Sequence, residues 1–461
     1  MALFFYNLLL LLLSPLLAAF YAARFLQRKE DAVHWRERWG VYPGAIASDP
    51  RPLRFWVHAV SVGEVMAAAP VLRELRARHP DALLVLSVTT VGGRAVAQSQ
   101  IPPADYVIYF PLDFPRVVRR ALAAVRPAVL ILMEWEIWNN LLAAAKHGGA
   151  TVAVINGRIS DTGLRRGRWF SALLAPGLGA VDVFAMQSAE DARRAETVGA
   201  APHKITAVGN TKFDEGAAML TADERADLRR DFGIPAGAPV WICGSTRDAP
   251  SAADVPEEAM IVEAFATVRE RVPGLVLMVA PRHLERAGAV ERILAGAGVG
   301  VVRRSVALAP LSPSEKLHFS GPPFPPQTGG KGLGDRGAVI LLDTFGELAR
   351  AYALADVAFV GGSLVPRSGQ SVFQPLAQGV PAVFGAYMNN QRDIAALAQA
   401  EGVGFVVKGG GELAETVLRL LTLPAEEKAT LREKCRALIE RNQGVTKRTL
   451  DLVDAARGVR R

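Results

Sequence analysis

Residues 54–75 read RFWVHAVSVGEVMAAAPVLREL and predict a strand, a tight turn and a helix in succession. The apolar run 54–60 stops at the turn 61–63, and a helical pattern then opens on the carboxylate of Glu64. Near-continuous apolar runs of this length are typical of parallel strands that are covered on both faces. The stretch therefore predicts the first βα unit of a doubly wound sheet.

The same alternation of apolar runs and helical patterns fills two halves of the chain. It breaks around 214–225, so we predict an α/β fold of two similar Rossmann-like domains, 27–215 and 216–461. Ligands of such sheets bind outside the carboxyl ends of the strands, and two tandem domains imply a cleft between them. The predicted strands are 54–60, 83–88, 106–110, 128–133, 151–156 and 182–186, then 239–244, 274–280, 337–342, 357–361 and 380–384.

Composition narrows the classes of partner. The net charge of +8 and the pI of about 9.6 favour an anionic partner such as a nucleic acid, an acidic lipid or a phosphorylated small molecule. Nothing besides the pI supports a nucleic acid, because no basic helix with interleaved aromatic residues and no zinc motif is present. The two cysteines, Cys243 and Cys435, are too few for a disulfide framework or a zinc site.

The N-terminus predicts a membrane anchor over residues 1–26. No charge occurs from Ala2 to Ala23, and basic residues follow at once, which favours a cytoplasmic location for the rest of the chain. A cleaved signal peptide is the alternative. Residues 164–170, LRRGRWF, combine arginines with Trp169 and Phe170, which suits a membrane interface or a solvated basic loop equally well.

The turn at Glu64 has two interpretations. The spacing S-x-x-E is that of a capping box, in which the glutamate reaches back to the amide of the cap residue. The alternative is a reactive carboxylate at a strand end, and a helix start can serve both purposes. The same signature recurs as Thr344-Phe345-Gly346-Glu347 in the second half.

Other polar residues follow the apolar runs at the same predicted edge. Glu134 and Glu136 alternate in ILMEWEIWNN, 131–140, and form either a salt bridge or a functional pair. Lys212 in VGNTKFD, 208–214, lies where the first domain ends and either faces the predicted cleft or is simply solvated. Arg282 follows a further run, where an arginine can fork onto a phosphate or lie in a surface loop. The glycine-rich segment 360–385 is typical of a backbone held close to a ligand, and 321–336 predicts a surface loop.

Seven motifs together resemble one family. The ordered set HAVSVGE, MEWEIWNN, NGRIS, GNTKFD, APRH, DTFGEL and YALADVAFVGGSLV is similar to that of the 3-deoxy-D-manno-octulosonic acid (Kdo) transferases. The resemblance implies a GT-B fold, with two Rossmann-like domains, and a glycosyltransferase at the cytoplasmic face of the inner membrane. The implied donor is CMP-Kdo, and the implied acceptor is lipid IVA, a precursor in lipopolysaccharide synthesis.

The resemblance also implies roles for individual residues. It places the general base at Glu64 and the residues that stabilise the transition state at Glu134 and Lys212. The chain departs from the family pattern at Gln370-Ser371, where His-Asn is usual, and at Gln374-Pro375, where Glu-Pro is usual. The residues implied to bind the CMP of the donor are Pro281, Arg282, Phe345, Gly346, Glu347, Ser371, Val372, Phe373 and Gln374.

A metal-independent inverting transfer without a bound cofactor agrees with the sequence, which contains no Asp-x-Asp pair. Two alternatives remain open at this point. Another GT-B nucleotide-sugar transferase or an epimerase would share the two-domain pattern. A membrane-tethered binding module without activity is favoured by the loss of an acid at Gln374, and it is opposed by the presence of Glu64, Glu134 and Lys212.

Overall fold

The computed structural model describes residues 1–27, 34–100, 104–214, 220–251, 254–296, 300–307 and 338–458. The predicted loop 321–336 lies outside these residues. The chain divides into two compact units. Unit 1 comprises Met1–Glu215 and Asn442–Arg461, and unit 2 comprises Gly216–Arg441.

Unit 1 is built on a parallel seven-stranded sheet. Its strands are β1 (Arg54–Ala59), β2 (Leu83–Val88), β3 (Tyr106–Tyr109), β4 (Val129–Met133), β5 (Thr151–Gly157), β6 (Val183–Met186) and β7 (Ile205–Ala207), in the order β3-β2-β1-β4-β5-β6-β7. Its helices up to residue 198 are α1 (Ala2–Gln27), α2 (Trp35–Arg38), α3 (Gly44–Ser48), α4 (Val62–Arg78), α5 (Val91–Gln100), α6 (Pro115–Val125), α7 (Asn139–His147), α8 (Asp161–Trp169), α9 (Ser171–Ala180) and α10 (Ala189–Val198).

Strand β1 is buried on both faces, as the apolar run predicts. Phe55 and Val57 enter one hydrophobic cluster, whereas Trp56 enters the cluster on the opposite face of the sheet. Helix α4 covers the first of these faces, where it buries Val65 and Leu72. The carboxyl end of β1 and the start of α4 are therefore fixed by packing on either side of the turn at Glu64.

Unit 2 repeats the architecture with a second parallel seven-stranded sheet. Its strands are β8 (Val240–Thr246), β9 (Val276–Pro281), β10 (Val301–Arg303), β11 (Ala338–Leu341), β12 (Val357–Val360), β13 (Ala382–Phe384) and β14 (Gly404–Val406), in the order β10-β11-β9-β8-β12-β13-β14. Its helices are α11 (Ala222–Asp231), α12 (Glu257–Arg271), α13 (Ala287–Ala295), α14 (Arg304–Ala307), α15 (Leu348–Ala351), α16 (Phe373–Ala377), α17 (Arg392–Ala400), α18 (Gly410–Leu421) and α19 (Ala425–Arg441).

The C-terminal residues differ from the predicted domain 216–461. Helix α19 is followed by a further helix, α20 (Val445–Gly458), and α20 belongs to unit 1. It buries Leu450 and Val453 in the cluster beneath α4. The carboxylate of Asp214 accepts the backbone N–H groups of Gly444 and Thr446, at 2.6 and 2.5 Å, which fixes the start of α20.

The N-terminal helix α1 packs on α7 and α9 of unit 1. The Tyr6 hydroxyl donates to Asp113 Oδ2 at 2.8 Å, and Asn140 Nδ2 donates to Asn7 Oδ1 at 2.7 Å. Among the residues that the structure describes, no helix combines the length and the hydropathy of a membrane span. The membrane anchor and the cleft between the units remain predictions.

Candidate active site

Glu64 lies in the first turn of α4, directly after β1. The Val60 N–H donates to Glu64 Oε2 at 2.9 Å, and the Ser61 hydroxyl donates to Glu64 Oε1 at 3.1 Å. Ser61 accepts no hydrogen bond from the helix start, so the predicted capping box is not formed. The carboxylate is instead held at the strand end by one amide and one hydroxyl, and it remains half-buried.

Two other acids, Glu134 and Glu136, interact electrostatically with Glu64. Burial raises the pKa of Glu64 from 4.5 to about 7, and the Glu134 carboxylate adds to this rise. Glu136 also raises the pKa, while the hydrogen bonds from Val60 and Ser61 oppose the increase. A carboxyl with a pKa close to neutral can accept a proton and release it again, which is the requirement for a general base.

Glu134 occupies the residue after β4 in a left-handed backbone conformation, with φ of +57°. Its N–H donates to the Ile155 carbonyl at 2.9 Å, and Arg158 Nη2 lies 3.7 Å from Glu134 Oε2. A non-glycine residue with positive φ costs free energy, and such residues cluster at functional sites. Strand alternation does not set the directions of Glu134 and Glu136, because β4 ends at Met133, before both residues.

Glu136 is the third acid of the group. Trp138 Nε1 donates to Glu136 Oε2 at 2.8 Å, and this bond partly offsets burial, which raises the pKa of Glu136 to about 7. Glu136 therefore adds a protonatable group beside Glu64 and Glu134. Its position in ILMEWEIWNN gave the signal, although the resemblance assigns it no role.

Lys212 lies in a 3₁₀ turn, Thr211–Asp214, that three amide side chains fix to the strand ends of unit 1. Asn210 Oδ1 accepts the Lys212 N–H at 3.0 Å, and Asn210 Nδ2 donates to Gln187 Oε1 at 3.0 Å. Gln187 Nε2 in turn donates to the carbonyl of Asn156, whose Oδ1 accepts the Thr211 N–H. Sequence reasoning missed Gln187, because nothing in the local pattern indicates this network.

The turn of unit 2 that has the same sequence signature as the Glu64 turn, residues 344–347, places Glu347 in contact with a cation. Arg304 Nη2 donates to Glu347 Oε1 at 2.9 Å, and the Thr344 hydroxyl donates to Glu347 Oε2. Arg304 also binds Asp231 and lies over the Phe232 ring, 4.0 Å from its centroid. The carboxylate of Glu347 is thus engaged within the protein, whereas Phe345 is 71% exposed beside it.

The remaining predicted donor residues also lie in unit 2. Pro281 ends β9 and is buried, whereas the Arg282 side chain is exposed and its N–H donates to the Thr246 carbonyl at 3.0 Å. Val372 and Phe373 are 0% and 2% exposed, so only their backbone can meet a ligand. Gly346, Ser371 and Gln374 keep part of their surface accessible.

Solved structures identify the class of this fold. The chain is similar to a glycosyltransferase from Rickettsia africae, with a TM-score of 0.57 and 11% identity, over 88% of this chain and 99% of that one. It is also similar to a UDP-GlcNAc 2-epimerase from Neisseria meningitidis, with a TM-score of 0.56 and 11% identity, over 87% and 100%. The chain therefore has a fold that this glycosyltransferase and this epimerase share.

Similarity to proteins of known sequence identifies the family within that fold class. Residues 33–215 match the family model described as 3-deoxy-D-manno-octulosonic-acid transferase. A 3-deoxy-D-manno-octulosonic acid transferase from Bordetella pertussis is 33% identical over 89% of each chain. The enzyme of that name from Haemophilus influenzae is 28% identical over 98% of this chain and 97% of its own. The chain belongs to the Kdo transferase family and is a glycosyltransferase.

Proposed function

We propose that the protein transfers Kdo from CMP-Kdo to lipid IVA with inversion at the anomeric carbon. The observation that carries this proposal is Glu64, whose pKa of about 7 and strand-end position suit a general base. The acceptor is an alcohol, which is a weak nucleophile until a base removes its proton during attack. Family membership supports the transferred sugar, and the strand-end residues of unit 2 support the nucleotide.

The reaction is a single displacement. The acceptor oxygen forms a bond to the anomeric carbon while its proton passes to Glu64. The bond between that carbon and the phosphate oxygen breaks, and CMP leaves with the electron pair. Glu134 would stabilise the positive charge that develops on the sugar ring, and Lys212 would balance the carboxylate of the sugar. Arg282 and the backbone of 345–347 would receive the departing phosphate.

The proposed reaction uses no bound cofactor and no divalent metal. The support for metal independence is the absence of an Asp-x-Asp pair from the sequence. Without a metal, the charge that develops on the leaving group has to be met by cationic side chains and backbone N–H groups. Arg282 is the exposed cation that the resemblance assigns to this task.

We also propose that unit 1 works at the cytoplasmic face of the inner membrane. Helix α1 exposes Phe4, Leu11, Leu12 and Leu16, each by more than 60%. The neighbouring helix α9 follows Trp169, which is 85% exposed next to three arginines at 165, 166 and 168. Apolar side chains beside basic ones suit a surface of anionic lipid.

A transfer assay with competing donors tests the function. The full chain is incubated with lipid IVA and, in parallel reactions, with CMP-Kdo or UDP-sugars, and the lipid product is identified by mass spectrometry. We expect product from CMP-Kdo alone. Product from a UDP-sugar alone would assign a different donor, a question raised by Gln374, and no product from any donor would contradict the transfer activity.

A further inference from the structure

Two arginines at the strand ends of unit 2 have no part in the mechanism above. Arg247 follows β8, and Arg367 lies in the loop after β12, the neighbouring strand. Their guanidinium groups lie 3.8 and 3.6 Å from the carboxylate of Asp248. Neither distance is that of a hydrogen bond, and two cations share one partly exposed acid, which leaves an excess of positive charge.

The guanidinium of Arg247 is poorly satisfied by the protein. Only 20% of the side chain is exposed, and within the described residues no hydrogen bond reaches its guanidinium. Arg367 makes one such bond, from Nη2 to the Ala249 carbonyl at 3.2 Å, and the Nε atoms of both arginines are buried without a partner. A largely buried cation with unused N–H groups is costly unless an anion meets it.

Both arginines are mounted on loops that the carboxylate of Glu257 fixes. This fully buried group accepts the N–H of Arg247 at 2.9 Å. It also accepts three consecutive N–H groups from the loop after β12, those of Gly362, Ser363 and Leu364, at 2.7, 2.9 and 2.9 Å. Four backbone donors on one carboxylate hold the two loops in one geometry, so the Arg247 backbone is preorganised.

A glycine lets the carboxyl ends of β8 and β12 approach each other closely. A Cβ atom at Gly361 would lie 2.5 Å from the Ser245 carbonyl oxygen, which only glycine avoids. At Gly362, the Cβ position would lie 3.4 Å from Arg247 Cγ and 3.6 Å from Gln370 Nε2. The Arg247 side chain is therefore adjacent to the segment 370–374, which the resemblance assigns to the nucleotide.

We propose that Arg247 and Arg367 bind an anionic group of the donor and that Glu257 is the residue that positions them. The anion is either the phosphate or the sugar carboxylate, both of which match the planar fork of a guanidinium. This inference rests on the proposed function, because CMP-Kdo is the ligand that carries both groups. The two arginines would add two positive charges to a donor site in which Gln374 replaces the glutamate that is usual in the family.

Binding measurements on the full chain test the pair. We expect Arg247→Met to weaken the binding of CMP-Kdo by ~10–100-fold, as the loss of charge-assisted hydrogen bonds predicts. Arg367→Met should have the same direction of effect, and Arg271→Met, at the far end of α12, serves as the control. If the pair holds the phosphate, CMP loses affinity while cytidine does not. If it holds the sugar carboxylate, CMP-Kdo loses affinity while CMP does not.

Other outcomes would overturn the inference. If the wild type binds CMP and CMP-Kdo and both arginine variants keep full affinity, the pair has no role, while the proposed function stands. A wild type that binds neither ligand would overturn the donor and the pair together. Glu257→Gln tests whether Glu257 acts by positioning the arginines. The substitution should lower the affinity for the donor in the wild type, and this effect should largely disappear when Arg247 is already methionine.

Discussion

Two turns of the same sequence type, SVGE at 61–64 and TFGE at 344–347, give their glutamates opposite surroundings. In both, the hydroxyl of the first residue donates to the carboxylate of the last. Glu347 is then neutralised by Arg304, a buried guanidinium. Glu64 has no cation within the described residues, and it lies close enough to Glu134 for their charges to interact.

The difference shows that the partner, rather than the motif, decides what the acid does. A guanidinium favours the ionised carboxylate, whereas burial and like charge favour the protonated one. Glu347 is consequently held in an ion pair with Arg304, and Glu64 is a group that exchanges protons near neutral pH. The two turns of one chain therefore serve as controls for each other.

The largest expected effect separates the two glutamates in catalysis. We expect Glu64→Gln to lower kcat by ~10²–10⁴-fold, because an amide cannot accept the proton of the acceptor. Glu347→Gln should leave kcat within about 10-fold and act mainly on the KM of the donor. Steady-state transfer kinetics with both substrates measure this, and equal losses of kcat in the two variants would remove the distinction.

The second largest expected effect concerns Arg304, the cation that binds the glutamate of the unit 2 turn. Arg304 is 4% exposed and binds both Glu347 and Asp231. Replacing it by methionine should lower the free energy of unfolding by about 3 kcal/mol, since two carboxylates lose their partner. Thermal unfolding of unit 2 reports this change. An unchanged Tm would show that Arg304 does not stabilise the turn.

Glu64 should itself cost stability, with a definite pH dependence. Because the pKa is raised from 4.5 to about 7, the folded state holds the proton more tightly than the unfolded state does. The penalty grows as the pH rises between these values and is complete above pH 7. Glu64→Gln should therefore stabilise the protein by ~1–3 kcal/mol at pH 8 and by much less at pH 5. A difference in Tm that is independent of pH would contradict this.

The smallest effects come from the two glycines. Gly63 lies in the helix α4, and the nearest atom that the described residues place against its Cβ position, apart from its chain neighbours and its own helix backbone, is Ser61 Oγ at 4.0 Å, so alanine should stabilise the protein by ~0.5–1 kcal/mol. Gly346 has φ of +88°, so alanine should destabilise by about 1 kcal/mol. Differential scanning calorimetry of the two variants compares the signs, and the same sign in both would contradict the two backbone geometries.

The sequence predicted the buried strands and missed three strands at the sheet edges. Strand β1 was predicted because each of its residues is buried, which leaves an uninterrupted apolar run. Strands β7, β10 and β14 have only three residues each and are partly exposed, so their sequences contain no long apolar run. The return of α20 to unit 1 was also missed, since periodicity predicts a helix but not the surface on which it packs.

For the candidate site, sequence reasoning located the strand-end positions but not their partners. Glu64 and Arg282 each follow a predicted strand, and the structure places them there, whereas Lys212 follows β7, which was not predicted. The bond of Arg304 to Glu347 spans 43 residues, and that of Glu257 to Gly362 spans 105. No local pattern carries such pairings, because they arise only when the loops of separate strands meet at one sheet edge.

The central claim is that Glu64 is the general base, and the pH dependence of a single turnover tests it most directly. With CMP-Kdo and lipid IVA bound, the rate should fall about 10-fold per pH unit below a break near pH 7. The break should be absent from the residual rate of Glu64→Gln and present in Glu347→Gln. A break that persists in Glu64→Gln would assign the base to another residue and contradict the account.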